Sequence, residues 1–177
     1  MKYIRIFAVL LAIGLLFAGC KENDEPQMTF PKIPYSQVGI APTKVTYTHQ
    51  GVTMELPKDF SDNTQTPSGK NYSFMYGAAS MGITGENVSK NELSEEITSL
   101  ELFAADYAAA LQAEALQKDG FWTVQYEDPS QNEPQMYVCA FYEAEDAYWI
   151  ITSYCPSQTF ENYSQDMWQY VTSATFE

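Results

Sequence analysis

The stretch MYVCAFYEAEDAYWIITSYC, residues 136–155, decides the fold of this chain. Two apolar runs, rich in aromatic and β-branched side chains, flank the short acidic link Glu143-Ala144-Glu145-Asp146. Runs of this length and composition predict β-strands, and the short link predicts that they form a hairpin. Because both runs are apolar on both faces, we expect two central strands of a sheet that helices cover on each side.

Two cysteines lie in this hairpin, and the position of its turn decides whether they can meet. A turn centred on Glu145-Asp146 places Cys139 opposite Thr152 rather than opposite Cys155. A shift of one residue in register turns a side chain to the other face, so a disulfide can form only in some registers. Since a free cysteine packs as a small hydrophobic residue, we expect two buried thiols.

Strand patterns also fill the part of the chain that precedes the first helix. In VTYTHQGVTMELP, residues 45–57, the turn pair Gln50-Gly51 is followed by Val, Met and Leu at alternate positions. Alternation beside a turn pair predicts a β-hairpin with one buried face. The same reasoning predicts a second pair of strands, Tyr72–Tyr76 and Ala79–Thr84, separated by small residues.

A long helix is predicted over residues 99–118. Thr98 and Glu101 have the spacing of a capping box, and apolar side chains recur every three to four residues behind them. Gly120 stands where a left-handed residue often ends a helix. The face expected to pack on the sheet includes Tyr107 and Leu111.

The C-terminal part of the chain adds a strand, a helix and a short end segment. Phe121–Tyr126 reads as a strand, and a polar loop, Glu127–Pro134, follows it. Pro156-Ser157 opens a helix, and the final SATFE, residues 173–177, is a short strand or tail. The order of elements predicts an α+β fold with a mostly antiparallel β-sheet flanked by helices. In the helix that follows Pro156-Ser157, five apolar side chains are predicted to lie on one face: Phe160, Tyr163, Met167, Tyr170 and Val171.

The N-terminus predicts export and a lipid anchor. Two basic residues precede an uncharged apolar run at residues 6–18, which is too short to cross a bilayer and is typical of a signal peptide. Leu16-Phe17-Ala18-Gly19-Cys20 resembles a bacterial lipobox, which implies a diacylglyceryl thioether on Cys20. We therefore expect a signal peptide at 1–19, a lipidated Cys20 with an extended, proline-containing tether to 43, and a domain at 44–177. The expected location is the extracytoplasmic side of the cell membrane.

Charge limits the partners of this chain. The full sequence has 9 basic and 23 acidic residues, a net charge of −14, and no Lys, Arg or His between Asp119 and Glu177. Such a surface repels phosphate backbones, so we expect no nucleic-acid partner. Attraction to another envelope protein with a basic surface is compatible with this charge.

Few residues have the pattern of a chemical site. His49 is the only histidine, no nucleophile or phosphate-loop motif occurs, and we expect neither an enzyme nor a bound cofactor. Glu143, Glu145 and Asp146 on the hairpin turn are weak candidates for a calcium site, with Glu127-Asp128 on a nearby loop. A solvated turn is the simpler interpretation. The three tryptophans, Trp122, Trp149 and Trp168, fit a core better than a sugar-stacking platform.

Two segments resemble PsbP/Mog1-like domains. GVTMELPKDF, residues 51–60, looks like their opening strand, Leu-Pro, turn and Phe. The stretch from Ala147 to Phe176 is similar to their C-terminal strand, helix and terminal Ser-x-x-Phe. The resemblance implies an antiparallel sheet between helices and no catalytic residues. It favours a non-catalytic lipoprotein that binds or assembles another protein; the alternative is a transporter accessory that binds a sugar or a divalent cation.

Overall fold

A computed structural model describes residues 42–64, 72–78, 81–130 and 133–176. Ten strands and two α-helices lie in these ranges. The strands are β1 (Lys44–His49), β2 (Val52–Pro57), β3 (Ser61–Asp62), β4 (Phe74–Ala78), β5 (Met81–Ser89), β6 (Ala115–Lys118), β7 (Phe121–Asp128), β8 (Gln135–Glu143), β9 (Ala147–Pro156) and β10 (Thr175–Phe176). The helices are α1 (Leu100–Ala110) and α2 (Phe160–Val171).

The predicted signal peptide, with Cys20 and nearly all of the predicted tether, lies outside the described residues. Within the described ranges, neither helix has the length and apolar character that crossing a bilayer requires.

Two antiparallel sheets form the domain. The larger sheet has seven strands in the order β3-β4-β5-β9-β8-β7-β6, and the smaller one has the order β1-β2-β10. Each pairing between neighbouring strands is antiparallel. The predicted α+β fold with a mostly antiparallel sheet is therefore confirmed, with β8 and β9 at the centre as their apolar sequences require.

The register of the β8–β9 hairpin follows from its turn. Cys139 pairs with Thr152, and Cys155 pairs with Met136. The Cys139 and Thr152 side chains lie 3.4 Å apart, from Sγ to Oγ1. Both cysteines are free and buried. Because odd and even positions of a strand point to opposite sides, the two thiols lie on opposite faces of the sheet.

Alternation along β8 and β9 divides the core into two layers. We call the two sides of the larger sheet the α1 face and the α2 face, after the helix that packs on each. On the α1 face, Phe103 and Ala104 of the helix join Cys139, Phe141 and Ile150 of the strands. The α2 face is covered by α2 and by the smaller sheet together. Its side chains include Val138, Ile151, Met167, Val171 and, from β2, Val52, Met54 and Leu56.

The predicted helix over 99–118 is too long. Helix α1 begins after Ser99, not Thr98, because the Ser99 hydroxyl accepts a hydrogen bond from the backbone N–H of Leu102 at 3.2 Å. The helix ends at Ala110 with Leu111 as its C-cap, and Gln112 then takes a left-handed conformation with φ 56°. Tyr107 and Leu111 are half-buried against the α1 face rather than fully buried.

The rest of the predicted helix is the edge strand β6. Asp119 and Gly120, with φ of 50° and 87°, form the tight turn that joins β6 to β7. Two consecutive residues with positive φ are typical of a two-residue hairpin turn. Gly120 is therefore a hairpin residue and not a helix cap.

Other boundaries move by several residues. Strand β5 continues to Ser89 because it pairs with β9 along eight residues, and β7 continues to Asp128 into the predicted loop. A short 3₁₀ turn, Ser157–Thr159, precedes α2. The C-terminal segment is a strand, because Thr175 and Phe176 pair with Thr53 and Val52.

Candidate functional site: a tyrosine row on one face of the sheet

Three tyrosines from neighbouring strands lie side by side on the α1 face. Tyr126 of β7 pairs with Tyr137 of β8, and Tyr137 pairs with Tyr154 of β9. Tyr154 in turn pairs with Gly82 of β5. Partners directly opposite in an antiparallel sheet share a face, so the rings form a line across the strands. We call Tyr126, Tyr137 and Tyr154 the tyrosine row.

The rings of the row are in contact. The centroids of Tyr126 and Tyr137 lie 4.7 Å apart with nearly parallel planes, and those of Tyr137 and Tyr154 lie 5.7 Å apart. Tyr137 is only 8% exposed, whereas its two neighbours are half-buried. Tyr126 and Tyr154 are therefore partly accessible, while the parallel planes of Tyr126 and Tyr137 turn their ring faces towards each other.

Gly82 provides the space in which the Tyr154 ring lies. A Cβ at this position would overlap the Cζ, Oη and Cε1 atoms of Tyr154. The ring of Tyr154 thus extends from β9 across the backbone of the neighbouring strand. The aromatic surface becomes four strands wide, about 14 Å at the usual strand spacing.

The hydroxyls of the row remain neutral. Burial raises the pKa of Tyr126 and Tyr154 above its ordinary value. The pKa of Tyr137 is raised by burial and then by the nearby Asp128 carboxylate. Tyr107, at the end of α1, hydrogen bonds to Tyr126 and fixes one end of the row. These phenols are hydrogen-bonding groups rather than acids or bases at neutral pH.

The thiol of Cys139, which lies beside the row on the same face of the sheet, is unreactive. Burial raises the pKa of Cys139 to about 12, although the Thr152 hydroxyl partly opposes this by hydrogen bonding to the sulfur. A cysteine acts as a nucleophile in its thiolate form, which requires a lowered pKa and access. Cys139 has neither, since it is 0% exposed.

A carboxylate stands at one end of the row. Asp128 lies two residues beyond Tyr126 on the same strand and the same face. Its Oδ1 accepts hydrogen bonds from the backbone N–H and the hydroxyl of Ser130, at 2.9 and 2.6 Å. These bonds fix the orientation of the carboxylate.

The acidic turn of the β8–β9 hairpin, which includes Glu143, Glu145 and Asp146, lies away from the tyrosine row and binds the side chain of Lys90. Lys90 Nζ is 2.9 Å from Glu143 Oε1 and also donates to the Glu145 carbonyl at 3.1 Å. Its backbone N–H donates to the Asp146 carbonyl at 2.9 Å. The hydrogen bond with Glu143 raises the pKa of Lys90. In the described part of the chain, no three His, Cys, Asp or Glu side chains are grouped to hold a metal.

The loop residues expected beside this turn are not there. Glu127 and Asp128 belong to β7 and pair with Met136 and Gln135, at the opposite end of β8 from Glu143. The expectation was wrong because β7 runs antiparallel to β8, so the end of β7 lies beside the start of β8.

The remaining candidates are dispersed. His49 ends β1 in the smaller sheet. Trp149 is buried, and Trp122 and Trp168 are half-buried. Trp168 packs under Lys118, whose Nζ lies 4.2 Å from the ring centroid on the α2 side. The structure therefore brings together the tyrosine row, which our sequence reasoning missed, whereas the predicted lipidation site, Cys20, lies outside the described residues.

Comparison with known proteins identifies the fold. No protein-family model and no curated protein sequence matches this chain. Cyanobacterial PsbP (CyanoP) from Synechocystis matches with a TM-score of 0.50 and 10% identity, over 79% of this chain and 95% of that chain. The Saccharomyces cerevisiae Ran-binding protein Mog1p has a TM-score of 0.48 and 11% identity, over 77% of this chain and 96% of that chain. The match to CyanoP confirms the predicted PsbP/Mog1-like fold, and at 10% identity it shows the fold alone.

Proposed function

We propose that this protein is a membrane-anchored, extracytoplasmic lipoprotein whose domain binds, or helps to assemble, another envelope protein and catalyses no reaction. The observation that carries the proposal is the tyrosine row, which presents two half-buried rings around a buried one on a face that α1 covers only in part. Tyrosine is enriched at protein interfaces because it offers a large, rigid surface with a polar tip.

The chemistry of the row supports binding rather than catalysis. Its hydroxyls are neutral, and the neighbouring thiol of Cys139 is buried and protonated. His49, the only histidine of the chain, lies on the smaller sheet. General acid–base catalysis needs a positioned group that changes protonation near neutral pH. The row instead offers shape, aromatic surface and hydrogen bonds.

The charge of the chain favours a partner with a basic surface. All three tyrosines and Asp128 belong to the segment from Asp119 to Glu177, which has no Lys, Arg or His. An acidic surface speeds encounter with a basic one and disfavours nucleic acid and anionic lipid headgroups.

The proposed anchor rests on Leu16-Phe17-Ala18-Gly19-Cys20. Two acyl chains hold a protein at a bilayer far better than one. Changing Cys20 to Ala should release the protein from membranes or leave its signal peptide uncleaved. Absence of label on the wild-type protein after growth with a radioactive fatty acid would contradict the anchor.

Photo-cross-linking in intact cells tests the binding function. A photoreactive residue at the exposed Glu133, near the row, should give a defined adduct that disappears when Tyr154 is changed to Leu. The same residue at the exposed Gln169 on α2 is the matched control and should give no such adduct. An adduct that forms equally from both positions, or survives Tyr154→Leu, would show that the row is not the binding surface.

An accessory that binds a sugar for a transporter is the second candidate, because aromatic rings in a row can also stack on sugar rings. Calorimetric titration with a panel of oligosaccharides separates the two. Binding that saturates and is lost in Tyr154→Leu, without a protein adduct, would favour the sugar. The divalent-cation form of this alternative has no supporting group among the described residues.

A further inference from the structure

We infer that two copies of this chain pair edge to edge through β6, with Leu116 of each copy opposite Leu116 of the other. The pairing joins the two larger sheets into one. It concerns a surface other than the tyrosine row and goes beyond the proposed binding function.

The outer edge of β6 is open. This strand is the outermost one of the larger sheet, and in the described part of the chain no strand pairs with its outer side. Its last three residues are exposed. Leu116 is 55% exposed, more than any other large apolar side chain in the described ranges. An edge strand with an exposed apolar residue is a template for pairing with another chain.

The turn between β6 and β7 determines which backbone groups of β6 point outward. This turn has two residues, so Lys118 and Phe121, which flank it, form a hydrogen-bonded pair. Hydrogen-bonded and non-hydrogen-bonded pairs alternate along an antiparallel ladder. Ala115 and Gln117 therefore direct their N–H and C=O groups to the outer side, where a second strand can bond to them.

Among twofold registers centred within β6, one matches both the charges and the apolar residue. With the axis at Leu116, this residue meets its own copy, and Ala115 meets Gln117 through their outward backbone groups. Glu114 then meets Lys118 at both ends of the pair. An axis at either neighbour of Leu116 would place it opposite Glu114 or Lys118, and an axis at Lys118 would place two lysines opposite each other.

The charges at this edge favour a second copy of the chain. Lys118 is the last basic residue of a sequence with 9 basic and 23 acidic residues. Its Nζ lies 4.2 Å from the ring centroid of Trp168, which holds it on the α2 face. Alternation places Leu116 and Glu114 on that face as well. Opposite charges directly across a strand pair stabilise the pairing, whereas like charges weaken it.

The dimer is expected to be weak in solution. A pair of four-residue strands buries less surface than a stable dimer requires. The proposed lipid anchor would confine the copies to one membrane surface and so raise their effective concentration.

Disulfide trapping in intact cells tests the register. Partners in a non-hydrogen-bonded pair have Cα atoms about 4.5 Å apart, which suits a disulfide. With copper phenanthroline as oxidant, Leu116→Cys should give about fivefold more cross-linked dimer than Gln117→Cys, which faces Ala115 and not its own copy. Both variants keep the buried Cys139 and Cys155, so these do not account for a difference. Equal yields, or a higher yield from Gln117→Cys, would overturn the inference.

Charge reversal tests the ion pairs in the purified full-length protein in detergent, with sedimentation equilibrium as the measurement. Lys118→Glu should weaken dimerisation about tenfold, because both ends of the strand pair then place two acids opposite each other. Combining Glu114→Lys with Lys118→Glu restores opposite charges and should restore the wild-type dissociation constant. Lys58→Glu, the same change at an exposed lysine just after β2, should have little effect.

The double variant separates pairing between copies from packing within one copy. Loss of the contact between Lys118 and Trp168 is common to the single and the double variant, so it cannot explain a recovery. A double variant that dimerises no better than Lys118→Glu, with folding checked by circular dichroism, would refute the assignment.

Discussion

The two faces of the larger sheet are built from similar side chains, but other elements cover them to different extents. Among the described residues, eighteen buried side chains form the core on the α2 face, against eight on the α1 face. The α2 face is closed by a helix and a second sheet together. The α1 face is covered by one helix of 11 residues, about three turns, and by Leu93 and Ile97 of the segment that precedes it. We conclude that most of the buried core lies on the α2 face, whereas the α1 face leaves Tyr126 and Tyr154 only half-buried.

Alkaline pH should cause the largest loss of stability, and the α1 face should account for most of it. Burial raises the pKa of Tyr126 and Tyr137, and that of Cys139 to about 12. In the unfolded chain thiols titrate near about 8.5 and tyrosines near about 10. Above these values the unfolded chain has lost protons that the native protein keeps, so stability falls as pH rises. Each such group contributes up to about 1.4 kcal/mol per pH unit.

Denaturant titrations between pH 7 and 11 measure this loss. Replacing Tyr126 and Tyr137 together by Phe should reduce the rate at which the free energy of unfolding falls with rising pH. Replacing Tyr76 and Tyr142 by Phe, the matched pair on the α2 face, should flatten it less, although burial raises their pKa as well. If the free energy of unfolding has the same pH dependence in both double variants, tyrosines on the two faces contribute equally to the alkaline loss of stability.

Two adjacent isoleucines of β9 allow the packing of the faces to be compared directly. Ile150 lies on the α1 face and Ile151 on the α2 face, and they are 2% and 0% exposed. Ile151→Ala should cost about 3–5 kcal/mol and Ile150→Ala about 2–3, within the usual range for such truncations. The reason is that the half-buried Tyr107 and Leu111 can move into the space left by Ile150.

Urea titration at pH 7 gives both values, and an unchanged m-value would confirm that only the folded packing is affected. A cost for Ile150→Ala equal to or above that for Ile151→Ala would show that the α1 face is packed as tightly as the other.

Alanine substitutions at two glycines of β5 compare the two faces again, with smaller expected changes in the free energy of unfolding. A Cβ at Gly85 would overlap the ring of Phe74, which is 1% exposed on the α2 face and has nowhere to move. A Cβ at Gly82 would overlap Tyr154, whose half-buried ring can rotate towards solvent. Gly85→Ala should therefore cost about 2–3 kcal/mol and Gly82→Ala about 1. Thermal unfolding of both variants measures the difference, and a reversed order would show that Tyr154 is the more constrained ring.

Local signals in the sequence predicted the hairpins well. The acidic link centred on Glu145-Asp146 gave the register in which Cys139 meets Thr152. The turn pair Gln50-Gly51 and the alternation after it gave β1 and β2, with the alternate apolar residues buried. In these segments, composition, periodicity and turn residues all favour the same structure.

The helix boundary failed because two signals compete there. Ala115-Leu116-Gln117-Lys118 has good helix propensity, but pairing with β7 along the sheet edge overrides it. Asp119-Gly120 was interpreted as the end of the helix, although Asp-Gly is a strong signal for a hairpin turn. The actual break falls at Gln112, a residue type that seldom adopts positive φ.

The tyrosine row depends on pairings that are distant along the chain. The register of the β8–β9 hairpin places Tyr137 opposite Tyr154, so this pair was within reach of sequence reasoning. Gly82 joins the row because β5 pairs with β9 across 72 residues, from 82 to 154, and no local pattern specifies that contact. The faces of single strands can be predicted, but their alignment across a sheet is a property of the whole fold.

The orientation of the β1–β2 hairpin determines how the domain would begin to unfold under mechanical force. Its open end, where Lys44 pairs with Pro57, adjoins residue 43, through which the proposed anchor would pull. Pulling there separates the pairs one at a time towards the turn instead of shearing them together. Most of β1 is exposed, while the alternate apolar residues of β2 are buried, so peeling β1 removes only Tyr47 from the core. Detachment adds about 20 Å of chain, and force spectroscopy from the N-terminus should record a low-force extension of that length before the domain unfolds.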